Sequence, residues 1–250
     1  AKQVRFGMVG GDVHAFIGEV HRKAINFDPR AELVAGCFSN IPEYNVETAE
    51  VYCVDKSRVY DDYKEMAAKE AAREDGIDFV SICTPNFLHY AVAKEFLLAG
   101  INVVCEKPLC FEIEEGEELE RIAKEKGLFF AVTYTYTGYT MTRVMKEMIA
   151  EGKIGDIVSV NAEYAQDWLI NELEPVEGVA ENMSVWRKDP KLSGISNCVG
   201  DIGTHIECTV HYVTGLKIKR LLATTNNYGK ALDLNSNMII EYDNGVNGAY

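Results

Sequence analysis

The feature that most constrains this chain is the alternation, over its first half, of short, continuously apolar runs with helix-like segments. Val4–Val9, Glu32–Phe38, Asp78–Cys83, Ile101–Cys105 and Phe129–Thr133 read as strands. Segments expected to be helical separate them, near Ile17–Phe27, Asn45–Val51, Asp61–Glu74, Tyr90–Ala99 and Ile113–Lys126. A strand that is apolar throughout, rather than at every second residue, has to be covered on both faces. Helices that carry the chain back across the sheet supply that cover and make the strands parallel. Residues 1–132 are therefore expected to form an α/β domain with a doubly wound parallel sheet.

The pattern changes after about residue 135. Met141–Glu151 reads as a helix stopped by Gly152, and Ile157–Tyr164 alternates as a half-exposed strand should. Residues 165–200 are irregular, and Ile202–Thr214 again looks helical. Lys219–Thr225 and Asn237–Tyr242 read as antiparallel strands, and Asp243-Asn244-Gly245 turns the chain into Val246–Tyr250. Residues 133–250 are expected to form an α+β domain with a large, mainly antiparallel open sheet. Because the last run stops in mid-strand, the chain reads as a truncated portion of a longer one.

The net charge of −14 leaves no basic stripe to neutralise phosphates, which argues against nucleic acid. No apolar stretch approaches the roughly 20 residues needed to span a bilayer. The amino terminus opens straight into a strand, with no signal-peptide pattern. Seven cysteines show neither a C-x-x-C pair nor zinc-ribbon spacing, so reduced thiols and a cytoplasmic location are expected. His211 lies six residues beyond His205 and faces elsewhere on a helix, so no metal site is expected.

The turn Gly10-Gly11-Asp12-Val13-His14-Ala15-Phe16-Ile17-Gly18 joins the first strand to the first helix, where a dinucleotide fingerprint belongs. Glycines there permit a tight turn, a close approach to a pyrophosphate, and helix-on-sheet packing, while the helix N-terminus favours the anion. Gly10 and Gly18 suit the first and last glycines of that pattern, although the loop between them is longer than usual. Gly10 is expected to keep open the space a pyrophosphate needs. The ribose is read about 20 positions on, at the end of the second strand, which falls on Ser39 and Asn40. These neutral side chains leave NAD and NADP open, with a lean to NAD because no positive charge awaits a 2′-phosphate. Arg58 or Lys56 from the following loop is able to reverse that.

Thr84-Pro85-Asn86 with His89, then Glu106-Lys107-Pro108, then Asp201-Ile202-Gly203-Thr204-His205 occur in that order. Together with the glycine turn they resemble the Gfo/Idh/MocA oxidoreductases, the glucose–fructose oxidoreductase and inositol dehydrogenase family, over essentially the whole chain. The long first loop and the stretch Tyr136–Tyr139 look like one subgroup, from which His14 and Tyr134-Thr135 depart. The resemblance implies an N-terminal Rossmann domain and a C-terminal substrate-binding and oligomerisation domain. It implies NAD or NADP as cofactor, a small-molecule sugar, cyclitol or polyol as substrate, and a homo-oligomer, dimer or tetramer. Carried over residue by residue, it implies a cofactor site of Gly10, Gly11, Phe16, Ile17, Gly18, Ser39, Asn40, Thr84, Pro85, Asn86, His89, Glu106 and Lys107. It also implies an active-site triplet of Lys107, Asp201 and His205.

Those types suit the chemistry. Hydride exchange between a nicotinamide and a secondary alcohol needs a base for the hydroxyl proton and a donor to steady the developing alkoxide. A lysine near a positive ring has its pKa drawn toward neutrality, and histidine already titrates there. Asp201 and His205 are four apart, so on one helical turn they share a face. In isolation Lys107 reads as a solvated strand-end lysine, and Asp201 as an N-cap for the helix that follows. Tyr136, Trp168, Trp186 and Arg187 are candidate sugar contacts, with core packing as the plain alternative. Two other functions fit the same motifs: an NAD-dependent glycoside hydrolase working by transient oxidation, and a non-enzymatic dinucleotide-binding sensor.

Overall fold

The computed structural model describes residues 3–170 and 185–250, which divide into two compact units, 1–133 and 134–250. The first unit has the expected α/β architecture. Its strands are β1 (Val4–Gly10), β2 (Ala31–Cys37), β3 (Phe79–Cys83), β4 (Asn102–Cys105) and β5 (Phe130–Val132). They are parallel throughout, in the order β2-β1-β3-β4-β5. The connections carry α1 (Phe16–Asn26), α2 (Pro42–Val51), α3 (Tyr63–Ala71), α4 (His89–Leu98) and α5 (Ile113–Lys126).

Both faces of the sheet are covered, as continuously apolar strands require. Phe6, Met8, Leu33 and Cys83 pack with Ile17 and Ile25 of α1 and Ala49 of α2. Val9, Ala35, Val80, Ile82, Val103 and Cys105 pack with residues of α3, α4 and α5, Phe96 and Leu119 among them. Successive residues of β1 thus serve opposite cores, the period-2 consequence of a pleated strand. Burial pushes the Cys37 thiol up to about 12 and the Cys105 thiol well above its usual range, so both stay protonated and unreactive.

Two helices differ from the sequence expectation, for local reasons. α2 starts at Pro42, three residues early, because proline is preorganised for a first helical turn. Asn45 is then inside the helix and buried. Its Oδ1 accepts from the Phe38 N–H at 2.8 Å and its Nδ2 donates to the Tyr60 carbonyl at 2.9 Å, which holds the β2–α2 loop. α3 starts only at Tyr63, after Asp62, whose carboxylate accepts from the Lys64 N–H. It ends at Ala71, just past Glu70, which is fully buried and pairs with Arg58 and Tyr60.

The second unit contains α6 (Thr140–Ala150), β6 (Ser159–Asn161), α7 (Thr204–Thr214), β7 (Ile218–Asn226), β8 (Asn235–Tyr242) and β9 (Asn247–Ala249). Its four-stranded sheet has the order β6-β9-β8-β7. β7, β8 and β9 run antiparallel, and β6 joins β9 in parallel. The strand expected over Ile157–Tyr164 is thus only three residues long. Val210, Leu216, Ile240 and Tyr242 form the core between α7 and the sheet. Gly245, with φ of +87°, closes the β8–β9 hairpin in a conformation glycine adopts without strain. Among the described residues no helix is long and apolar enough to cross a membrane.

Candidate functional site

β1 ends at Gly10 and Gly11, with φ of +73° and +75°. A Cβ on Gly10 would lie 2.8 Å from the Cys83 carbonyl carbon and the Thr84 nitrogen. The glycine therefore lets β1 close on the end of β3. A side chain on Gly10 would meet backbone of the neighbouring strand. A Cβ on Gly18 would lie 2.3 Å from the Gly11 Cα, so this pair seats α1 on the turn. The longer loop is tied down by its own residues. The Val13 N–H donates to Thr48 Oγ1 at 3.1 Å, His14 Nε2 pairs with Glu47 at 2.9 Å, and the His14 ring packs on Tyr44 at 4.1 Å.

Ala15, the residue before α1, supplies no side-chain cap. The first N–H groups of α1 are left to solvent or to an anion. Phe16 is 83% exposed, and Ile17 packs into the core beneath. The Thr84 hydroxyl is buried and has no hydrogen-bond partner in the described protein. Two left-handed glycines, an uncapped helix start and an orphaned hydroxyl at the end of β3 fit a dinucleotide across the carboxyl ends of the strands.

Ser39 and Asn40 lie where the ribose reading places them, between β2 and α2, and Ser39 Oγ accepts from the Ile41 N–H at 3.4 Å. Arg58 is buried and held by Glu70, and Lys56 pairs with Glu50 at 2.8 Å. Both cations that could have met a 2′-phosphate are committed elsewhere.

Pro85 and Asn86 follow Thr84 in the turn that leads into α4. His89, the first residue of α4, is 1% exposed. Its ring nitrogens lie 2.6 Å from the Pro108 carbonyl and 2.8 Å from the Thr84 carbonyl, so it ties the turn after β3 to the turn after β4. Burial pushes its pKa below the usual histidine range, against the pull of the two carbonyls. Both nitrogens are turned to backbone, and the neutral ring donates to one carbonyl at a time while packing between the two turns.

Glu106, Lys107 and Pro108 follow β4, with a cis Lys107–Pro108 peptide. The Glu106 side chain points inward. Its Oε1 lies 2.8 Å from His21 Nε2 and accepts from Thr133 Oγ1 at 2.7 Å; its Oε2 accepts from the Lys107 N–H at 3.1 Å. His21 Nδ1 lies 2.8 Å from Ser81 Oγ. His21 and Glu106 are each 8% exposed, and Ser81 is fully buried. Burial disfavours the imidazolium, but the nearby Cys83 sulfur and the Glu106 carboxylate, which accepts from Nε2, outweigh it and hold His21 up to about 10. Among the described residues the ring partners within 3 Å are Ser81 and Glu106, and it is the carboxylate that holds the proton on the ring. Burial raises the Glu106 carboxyl, and its hydrogen bonds bring it net below the usual range.

In the second unit Asp201 sits in a π-helical turn, Cys198–Gly203, that runs directly into α7. Asp201 is therefore not the N-cap expected from its position: Gly203 precedes α7, with no side-chain cap. The turn is held instead by Asp233, from the β7–β8 connection. Its carboxylate accepts from the Asn197 N–H at 2.8 Å, the Val199 N–H at 3.0 Å and Ser196 Oγ at 3.1 Å. Wide turns of this kind are frequent at functional sites.

His205, in the first turn of α7, is surrounded by phenol rings. Tyr136 lies 4.8 Å away, Tyr134 5.9 Å and Tyr164 6.3 Å, centroid to centroid. The Tyr134 hydroxyl hydrogen-bonds Thr204 Oγ1 at 2.8 Å. The Tyr136 and Tyr164 hydroxyls hydrogen-bond each other, Gln166 donates to Tyr164, and Trp168 Nε1 donates to Gln166. Tyr136 and Trp168 thus belong to one chain of contacts that ends at His205. Burial, then the Tyr164 contact, pushes the Tyr136 phenol above its usual range, so it is a donor at neutral pH. Trp186 and Arg187 stack on each other at 4.4 Å in a separate turn, Val185–Lys188. Tyr164, Asp233 and Ser81 were missed in the sequence, whereas His21, three residues after Gly18, reads there as a cofactor-proximal or structural histidine. Of the three missed, only Tyr164 had a signal there, as the last residue of an alternating run. No cluster able to hold a metal occurs among the described residues.

Residues 4–134 match the oxidoreductase family with an NAD-binding Rossmann fold, and residues 142–250 match the Gfo/Idh/MocA C-terminal domain. The chain belongs to the Gfo/Idh/MocA oxidoreductase family. It is 36% identical to the Bacillus subtilis oxidoreductase YfiI, over 99% of this chain and 64% of that protein. Among solved structures it is similar to an inositol dehydrogenase homologue of Azotobacter vinelandii complexed with NAD+. The TM-score is 0.91 and the identity 37%, over 100% of this chain and 64% of that one. The complex of an inositol dehydrogenase homologue of that organism with NADH and myo-inositol gives a TM-score of 0.89 and 35% identity, over 100% of this chain and 63% of that one. The chain thus spans just under two thirds of the length of these Gfo/Idh/MocA relatives.

Proposed function

We propose that this chain is the cofactor-binding and proton-handling part of an NAD-dependent dehydrogenase that acts on a secondary alcohol of a cyclitol, sugar or polyol. The observation that carries the reading is the turn after β1, with its two left-handed glycines and the uncapped start of α1. The Azotobacter vinelandii relatives, one of them with NADH and myo-inositol, favour a cyclitol.

When bound, the nicotinamide exchanges a hydride with the alcohol carbon. The protein handles the proton. We assign Lys107 and His205 to taking the hydroxyl proton and steadying the alkoxide, and Asp201 to orienting them or the substrate hydroxyls. The phenols around His205 supply donors and ring faces suited to a polyhydroxylated ring. A cytoplasmic setting belongs to the same reading, as does self-association. Leu222 and Ile239, directly opposite in β7 and β8, are 69% and 66% exposed, an apolar face that a second copy would cover.

The test is incubation of the full-length protein with NAD and NADP over a panel of cyclitols and sugars, following the nicotinamide absorbance. Reduction of NAD by a cyclitol or sugar is expected. No reduction with any polyol, and no oxidation of NADH with any keto-sugar, would sink the reading.

A further inference from the structure

We infer that His21 is a positioning residue for Lys107, acting through the Glu106 carboxylate. This rests on the assignment of Lys107 to the proton-handling machinery.

Four elements converge on one buried carboxylate. α1 contributes His21, β3 contributes Ser81 beneath it, the residue after β4 is Glu106, and the residue after β5 is Thr133. A carboxylate only accepts, so His21 Nε2 carries a hydrogen toward Oε1 in either charge state of the ring. Ser81 then fixes the ring: its Oγ accepts from Nδ1 of an imidazolium or donates to Nδ1 of a neutral imidazole, 2.8 Å away in both cases. Oε1 is taken by His21 and Thr133, which turns Oε2 to the N–H of Lys107. The backbone from which the lysine side chain projects is held by this carboxylate. Without the His21 donor, Glu106 would be a buried charge short of a partner, free to rotate or to draw in water. The Lys107 turn would then lose its anchor, although no atom touching substrate had been changed. A displacement of about 1 Å at a reacting group is enough to cost on the order of 100-fold in rate.

The experiment uses the full-length protein with His21→Leu, His21→Gln and Ser81→Ala, since glutamine can still present an amide N–H toward Glu106. In His21→Leu, kcat should fall about tenfold to 100-fold. The substrate KM and NAD affinity by calorimetry should stay within about threefold, because the groups that bind are left in place. His21→Gln should recover most of the loss. Amide hydrogen exchange gives a reading independent of activity: the Lys107 N–H should exchange at least about tenfold faster in His21→Leu and return toward the wild-type rate in His21→Gln. If His21→Leu does not fold, Ser81→Ala, which loosens the ring without removing it, should give the same changes at smaller size. Unaltered kcat and unaltered Lys107 exchange in whichever of these variants folds would overturn the proposal. A wild type that reduces no cofactor would overturn the functional reading, while the exchange result would still decide the role of His21.

Discussion

Gly18 faces Gly11 so closely that a methyl group on Gly18 would stand 2.3 Å from the Gly11 Cα. The obstacle is backbone, which cannot swing aside as the end of a flexible side chain can. Gly18→Ala should therefore lift α1 off the turn, lowering stability by about 1–3 kcal/mol and weakening NAD binding. Urea unfolding and calorimetry measure both, and wild-type values for both would show that the turn yields.

Stability should depend on His21 through pH. Its folded-state pKa is raised to about 10 from an ordinary 6.5, so the native protein keeps a proton that the unfolded chain loses. The stabilisation is fully present below about 6.5 and is lost as pH rises toward 10. The slope is at most about 1.4 kcal/mol per pH unit. Urea unfolding of the wild type and His21→Gln at about pH 7 and about pH 9 should show the gap between them shrinking at the higher pH. A gap that is constant or widens would contradict the raised pKa.

Asp233 holds the π-helical turn that carries Asp201. Asp233→Ala leaves two backbone N–H groups and a serine hydroxyl without their acceptor, at a cost of about 1–3 kcal/mol. kcat/KM should fall while NAD affinity is retained, because the glycine turn belongs to the other compact unit. Asp233→Asn keeps one accepting oxygen and should fall between the two. Steady-state kinetics and calorimetry on the same preparations decide it.

The ribose pocket should prefer NAD to NADP by at least about tenfold, since a 2′-phosphate left without a cation is costly. Arg58 is committed to Glu70 and Lys56 to Glu50. Equal affinity for the two cofactors in a titration would mean that one of these pairs opens.

Lys107→Ala and His205→Ala should each lower kcat by roughly 10²–10⁴-fold with little change in NAD affinity. The double variant should lose far less than the product of the single losses, as groups acting together do. Asp201→Asn should cost less than either. Fully multiplicative losses would separate the two residues into independent roles.

The first sheet, its parallel sense and the presence of a second, mixed sheet were legible because they depend on local patterning: apolar runs, turn residues and helix periodicity. The glycine turn and the motifs around Lys107, Asp201 and His205 could likewise be read where they stand. What holds those residues could not be read. His21 and Glu106 are separated by 85 positions and meet only because the β1-β3-β4 order carries α1 across to the end of β4. Asp233 reaches the Asp201 turn from 36 positions beyond Asn197, and nothing in composition marks one helical turn as wider than its neighbours. The close approach of Gly10 to the Cys83 and Thr84 backbone likewise appears only once β1 and β3 lie side by side. Local propensity and periodicity belong to neighbouring residues and are written in the chain. The pairing of buried polar groups belongs to the packed sheet, because only there does the cost of an unpartnered carboxylate or N–H select which distant residue must answer it.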